Sequence, residues 1–309
     1  MSLRIGIDLG GTKIEGVVMD AASQILARRR LATPQTDYPA TVRAIVELVA
    51  ALEAEVGARA LPVGMGTPGA ISARTGRMKN CNSTCLNGQP LLEDVQAQLG
   101  ARVRIANDAD CLALSESHDG AAHGARSVFA VIIGTGVGGG VVINGQLLTG
   151  PNAIAGEWGH NPLPWPRLDW DEVPGPLGWD GRHGAIEDWC SGPALAADYA
   201  RRFGAQISAR EIAARAEQGE AAAQDALARW QDRLARALAT VINMLDPEVI
   251  VLGGGLSQIT RVYRSVPQLW RAWVFSDEVQ TRLLRAQHGD ASGVRGAAWL
   301  WPAQSKAPG

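Results

Sequence analysis

The sequence is poor in cysteine. Four in 309 residues, at positions 81, 85, 111 and 190 with no Cys-x-x-Cys, exclude a disulfide scaffold. It has no excess of either charge. Lysine plus arginine is 29 and aspartate plus glutamate is 31, a formal net charge of −2. No basic field points to nucleic acid and no polybasic stretch to an anionic membrane. No apolar run approaches the roughly 20 residues that span a bilayer. The start, MSLRIGIDLGG, has no basic segment followed by a long apolar core, so no signal peptide is visible. A cytoplasmic protein with reduced thiols is expected. What the chain has in excess is glycine, 36 residues. With 46% hydrophobic and 19% charged residues the composition is that of a globular protein, and the length suits about two domains.

The hydrophobic pattern predicts strands at Ile5–Leu9, Ile14–Met19 and Gln24–Leu31. A helix follows, with Val42, Ile45, Val46, Val49 and Leu52 at helical spacing, then a strand at Leu61–Met65, a helix near Leu91–Leu99 and a strand at Val103–Ala106. Three strands followed by alternating helices and strands imply an α/β domain with a mixed sheet. The pattern then restarts. IDLGGTKIEGVVMD (7–20) and IIGTGVGGGVVING (132–145) both run strand, glycine turn, strand, an internal repeat that implies two similar domains. In the second half, Ser127–Ile133 reads as a strand, Gly134–Gly140 as a turn and Val141–Ile143 as the returning strand. A Pro-, Gly- and Trp-rich insertion covers 150–190. A helix near Gln224–Leu245 steps Leu227, Trp230, Leu234, Leu238, Val241 and Leu245 along one face. Val249–Leu252 reads as a strand and Gly293–Trp301 as a last helix. The expected domains are 1–120, with helix 293–302 packing back on it, and 121–292, which carries the insertion.

Asp8-Leu-Gly-Gly-Thr-Lys13 follows a buried strand. Its glycines let backbone N–H groups approach phosphate oxygens, Thr12 and Lys13 add a hydroxyl and a charge, and Asp8 suits a magnesium ion held through water. A hairpin turn that needs positive φ explains the same glycines. Gly134-Thr135-Gly136 repeats the arrangement. The wider run matches G-x-G-x-x-G but leads into strand-like Val141–Ile143, and Glu157 lies in the wrong context, which rejects a nicotinamide site. Gly253-Gly254-Gly255 after a strand suits an adenosine lying on backbone, or a tight turn. Asn107-Asp108 at a strand-to-helix junction reads as an N-cap, or as a general base that takes a proton from a hydroxyl in phosphoryl transfer. The run of Asn80, Asn82, Ser83, Thr84 and Asn87, with Glu157 and His160, offers the dense polar groups a sugar needs, and Trp158 and Trp165 an aromatic rim; a loop and a buried structural histidine are the alternatives.

GIDLGGTKIE, GMGTPGAI, NDADCLALSE, GTGVGGGVVINGQ, GEWGHNPLPW, DPEVIVLGGGLS and HGDASGVRGAAWLW, in this order over nearly the full length, resemble the ROK family of sugar kinases. The resemblance implies two actin-like (ribonuclease H-like) ATPase domains with mixed five-stranded sheets and a cleft between them. It implies Asp108 as base and Asn107 on the sugar. Glu157, His160 and Glu187 would bind hydroxyls with Asn82 and the Gly69 backbone. Gly10, Gly11, Thr12, Lys13, Gly134, Thr135 and Gly136 would surround ATP phosphates, Gly254 and Gly255 the adenosine, with Mg²⁺ at Asp8. A homodimer is also implied. KNCNSTCLNGQP and GEWGHNPLPW look most like bacterial fructokinases (mannokinases), and the family's N-acetylglucosamine kinases differ at both. The expected reaction is therefore phosphorylation of the fructose 6-hydroxyl; kinases of N-acetylglucosamine, glucose or mannose, and a non-catalytic sugar-binding regulator, are the alternatives.

The family pattern also carries structural zinc, held by the histidine of Gly-His-Asn and three cysteines. Counted back from Glu187, those cysteine positions fall on Gly178, Asp180 and Ala185, so the thiolate site cannot form. Asp180, His183 and His160 are the one substitute set. No zinc is expected, and stoichiometric zinc in purified protein would overturn that expectation.

Overall fold

The computed structural model describes residues 2–81 and 83–301. In chain order the elements are β1 (Arg4–Leu9), β2 (Lys13–Met19), β3 (Ile25–Ala32), α1 (Tyr38–Glu55), β4 (Val63–Thr67), β5 (Ala70–Ile71), β6 (Met78–Lys79), α2 (Leu91–Leu99), β7 (Val103–Asn107), α3 (Asp108–His118) and β8 (Ser127–Ile133). There follow β9 (Val137–Ile143), β10 (Gln146–Leu147), α4 (Glu187–Cys190), α5 (Gly192–Phe203), α6 (Ala209–Glu217), α7 (Ala221–Leu245), β11 (Val249–Gly253), α8 (Val262–Leu269), β12 (Arg282–Arg285) and α9 (Ser292–Trp299). No helix among the described residues is long and apolar enough to cross a membrane.

Two mixed five-stranded sheets form, ordered β3-β2-β1-β4-β7 and β10-β9-β8-β11-β12. In the first, β1 pairs antiparallel with β2 and parallel with β4. In the second, β8 pairs antiparallel with β9 and parallel with β11. The internal repeat thus corresponds to the β1–β2 and β8–β9 hairpins. The chain divides into one unit of 1–124, 145–155 and 287–309 and another of 125–144 and 156–286. Segment 145–155 therefore groups with the first unit, although the sequence places it with the second.

Each sheet is covered by helices whose apolar stripes the periodicity foretold. Of the residues at helical spacing in α1, Ile45, Val49 and Leu52 are buried in one core with Ile5, Ile7, Ile14 and Val63; Leu48, not singled out by the spacing, joins them, and Val42 and Val46 are only partly buried. Leu227, Trp230, Leu234, Leu238 and Val241 of α7 share the other with Phe129, Trp158 and Trp189, whereas Leu245, expected on the same face, is the last residue of the helix and is exposed. Full burial of such side chains contributes about 1.5–3 kcal/mol each. Helix starts follow local chemistry: the Asp37 side chain accepts the Ala40 N–H at the head of α1, and Ser191 caps α5 ahead of Pro193.

Helix α9 ends at Trp299, earlier than expected; Pro302 lies outside the described residues. It packs on its own unit through glycines. A Cβ on Gly6 would lie 2.0 Å from Val294 O, on Gly64 1.7 Å from Ala297 O, and on Gly296 1.6 Å from Cys111 O. Only absent side chains let the helix backbone sit directly on β1, β4 and α3. Trp301 completes the docking: its Nε1 donates to Val63 O at 2.9 Å and its carbonyl accepts from Arg4 Nη1 at 3.0 Å.

The returning strand of the second hairpin starts at Val137, so three glycines read as turn lie inside β9. A Cβ at Gly139 would meet Gly156 O at 2.7 Å and Trp158 Cδ1 at 2.8 Å. The glycine run is thus a surface on which the Gly156–His160 segment rests, and the turn itself is only 134–136.

Candidate active site

The first unit brings together Asp8, the 10–12 turn, Asn107 and Asp108. In the turn, Gly10 O accepts from Thr33 Oγ1 at 2.7 Å, Gly11 O from Gln35 Nε2 at 3.3 Å and Thr12 O from the Thr33 N–H at 3.1 Å. The N–H groups of Gly11 and Thr12, on exposed residues, have no partner among the described residues. Consecutive carbonyls tied down behind available amides make a concavity suited to an anion. Neither glycine has positive φ, so a left-handed turn is not what requires them. Lys13 Nζ lies 3.8 Å from Glu15 Oε2, and Glu15 is buried. Burial works against the Glu15 carboxylate, but hydrogen bonds from Arg30 and Arg28 outweigh it and hold its pKa below the usual range.

Asp108 opens α3 and is exposed; its Oδ1 accepts the Ala109 N–H at 2.8 Å. Asn107 is the N-cap, and its Oδ1 accepts the Asp110 N–H at 2.7 Å. The capping reading is therefore right for Asn107, while Asp108 points a carboxylate out of the helix start. Asp8 pairs in register with Gly66 and Glu15. Gly293 leaves space for it, since a Cβ there would lie 3.2 Å from Asp8 Oδ2. Beneath these groups sits the fully buried Cys111 thiol. Burial first, then the carboxylates of Asp110, Asp8 and Asp108, push its pKa well above the ordinary value, which makes it inert.

Gly69 packs on the 79–81 segment: a Cβ there would meet Lys79 O at 2.5 Å and Cys81 Sγ at 2.6 Å. Asn87, one of the polar run, clamps that loop, accepting the Cys81 N–H at 2.8 Å and donating to Cys81 O at 3.0 Å. Asn82 lies outside the described residues.

The second unit brings together the 134–136 turn, Glu187, Glu157 and His160. Gly134 N–H donates to Gly136 O at 3.0 Å, and Gly134 O accepts from the Gly192 N–H at 2.8 Å. Glu187 Oε2 accepts the Val137 N–H at 2.8 Å, a contact sequence reasoning missed. One oxygen of this expected sugar ligand thus braces the turn. His160 Nε2 lies 3.8 Å from Glu157 Oε2, both half-buried, and the His160 ring meets the edge of Trp179. Trp158 is not a rim. It is buried, T-stacked on Phe129 at 5.7 Å, with Nε1 donating to Gly138 O at 3.2 Å. Trp165 is exposed and stacks on Trp273 at 5.0 Å. Gly254, at φ 81°, and Gly255 are exposed after β11, and Gly254 O accepts from Ser257 Oγ at 2.7 Å.

The residues at the family's zinc positions do not fit that ion. Asp180 is engaged by Arg182 through Nε at 2.8 Å, and His183 Nδ1 lies 2.9 Å from Gly175 O. Among the described residues no three His, Cys, Asp or Glu side chains are grouped to hold a metal. What fastens the insertion is a buried ionic cluster that no motif announces. Arg233 Nε and Arg236 Nη2 donate to Glu172 Oε1 at 2.7 and 2.9 Å, and Arg233 Nη1 to Asp198 Oδ2 at 2.9 Å. Arg236 Nη1 also donates to Pro164 O and Trp165 O, at 3.0 and 2.8 Å.

The family model of the ROK family matches residues 4–304. The chain belongs to the ROK family. It is a sugar kinase, a phosphotransferase with an alcohol acceptor, on the actin-like ATPase fold. It is 39% identical over 298 residues to an N-acetyl-D-glucosamine kinase of Photobacterium profundum, covering 96% of this chain and 98% of the relative. It is 38% identical over 297 residues to an N-acetyl-D-glucosamine kinase of Shigella boydii, with the same coverage. The ROK hexokinase of Thermus thermophilus superposes with a TM-score of 0.85 at 30% identity, over 96% of this chain and 97% of that one. The ROK glucokinase of Streptomyces griseus, solved with glucose and AMPPNP, superposes with a TM-score of 0.74 at 29% identity, over 96% and 98%.

Proposed function

We propose that this kinase transfers the γ-phosphate of ATP to the 6-hydroxyl of N-acetyl-D-glucosamine. The observation that carries the substrate is the near full-length likeness to N-acetyl-D-glucosamine kinases at 37–39% identity. It outweighs the two loop stretches that look like fructokinases, because those span few residues and the likeness spans both units.

In this reading Asp108 accepts the proton of the attacking hydroxyl, so that oxygen, proton and phosphoryl group move in one in-line step. Asn107, Glu157, His160 and the second oxygen of Glu187 hold the other hydroxyls, with the Gly69 backbone. The Gly11 and Thr12 amides and the Gly134-Thr135-Gly136 turn receive the phosphates, with Lys13 alongside, and Gly254 and Gly255 the adenosine. The hard carboxylate of Asp8 suits a hydrated magnesium ion, whose chemistry is to neutralise charge on the phosphate oxygens. The test is kcat/KM over four sugars by coupled ADP release. N-acetyl-D-glucosamine is expected to exceed fructose, mannose and glucose; a leading value for fructose would restore the fructokinase reading.

A further inference from the structure

A cavity of about 260 Å³ opens beside Asn107, wholly within the first unit. Its walls are mostly apolar: Ala70, Ile71, Ile105, Leu147, Leu148 and Ala155. Asn107, Asp110 and Thr149 supply polar edges. The volume falls below the roughly 300–1,000 Å³ of pockets that engulf a whole ligand. It suits a substituent. Apolar walls next to an amide and a hydroxyl match a short neutral group with one amide and one hydrocarbon end. A bare sugar hydroxyl would leave those walls against water, and the Asp110 carboxylate opposes an anion.

Chain connectivity ties the cavity to the reaction. One wall is Asn107, next to Asp108; another is Ala155, two residues before Glu157. We infer that this cavity is the acyl subsite of the enzyme, receiving the N-acyl group of a 2-acylamino hexose, with Ala70 and Leu148 setting the acyl length accepted. The inference rests on the proposed N-acetyl-D-glucosamine reading and deepens it.

The test is competition between sugars that differ only at that group: glucose, glucosamine, and N-acetyl-, N-propionyl- and N-butanoyl-glucosamine. Ala70→Leu narrows the cavity. The ratio of kcat/KM for N-acetyl-D-glucosamine over glucose is expected to fall tenfold or more, the scale at which an apolar pocket discriminates about one methylene. Leu148→Ala widens it at a side chain already 45% exposed, so folding is spared. That variant is expected to raise N-propionyl- and N-butanoyl-glucosamine relative to the N-acetyl sugar. If the wild type prefers N-acetyl-D-glucosamine but neither variant moves these ratios, the subsite is overturned and the substrate reading stands. If glucosamine outcompetes its acylated forms, Asp110 binds an ammonium there and the subsite is overturned. A wild type without preference for the acetylated sugar overturns both.

Discussion

Asp108→Asn is expected to lower kcat by about 10²–10⁴-fold, the usual worth of a general base, with sugar affinity largely kept. The substitution is isosteric. Asn keeps an oxygen for the Ala109 N–H, which Asp108 Oδ1 accepts at 2.8 Å, so the head of α3 is preserved. Asn107 still caps the helix through the Asp110 N–H. What disappears is the capacity to take a proton from the attacking hydroxyl. Coupled ADP release measures kcat, and calorimetry with the sugar measures binding. Turnover within a few-fold of wild type would remove Asp108 from the base role. A loss of sugar binding equal to the loss of kcat would make it a binding residue only.

Glu172→Gln is expected to destabilise the second unit by about 3–5 kcal/mol, the cost of breaking a buried ion pair from one side. Glu172 is buried and receives Arg233 and Arg236, which are 1% and 0% exposed at the side chain. The second carboxylate in contact with Arg233 is Asp198, also buried. Removing the Glu172 charge leaves one more buried positive charge than negative. Because Arg236 also holds the Pro164 and Trp165 carbonyls, the insertion that carries Glu157, His160 and Glu187 should loosen with it. Urea unfolding followed by tryptophan fluorescence reads the effect; a change below about 1 kcal/mol would show that the cluster contributes little.

The same cluster sets an acid limit. Burial opposes ionisation of Glu172 and Asp198, but their arginines outweigh it and hold both pKa values below the usual carboxylate range. A depressed pKa in the folded state gives stability that is complete above the unfolded value, about 3.9–4.3, and lost as pH falls through the folded value. Stability is therefore expected to drop below about pH 4, and Glu172→Gln to flatten that drop. An unchanged acid limb in the variant would assign acid unfolding to other groups.

Much of the candidate site's local structure was legible because its parts are contiguous in the chain. A strand, a short glycine turn and a returning strand make a contiguous pattern, and the 7–20 and 132–145 repeat marks both hairpins. An Asn-Asp pair where a strand meets a helix follows from capping chemistry. The misreadings share a cause, which is contact between distant segments. Trp158 looked like a sugar rim but is buried against Phe129 and Gly138. The glycines of β9 looked like turn but carry the Gly156–His160 segment. The brace from Glu187 to the Val137 N–H was missed for the same reason. The arginines of α7 carried no reading in the sequence, because Glu172 and Asp198, with which they pair, lie tens of residues away.

Local order along the chain was enough to establish the two mixed sheets, the two glycine turns and the helix that begins at Asp108, since periodicity and turn chemistry act over a few residues. Set against the family pattern, residue types alone put Gly178, Asp180 and Ala185 where its thiolates would stand. Tertiary structure alone decided what replaces the clip, why glycines recur outside the turns, and that a small apolar cavity stands beside Asn107. Each of these depends on groups brought together by packing: a buried charge finds its partner across the fold, a helix backbone meets a sheet only where two side chains are missing, and a cavity exists only when several segments enclose it.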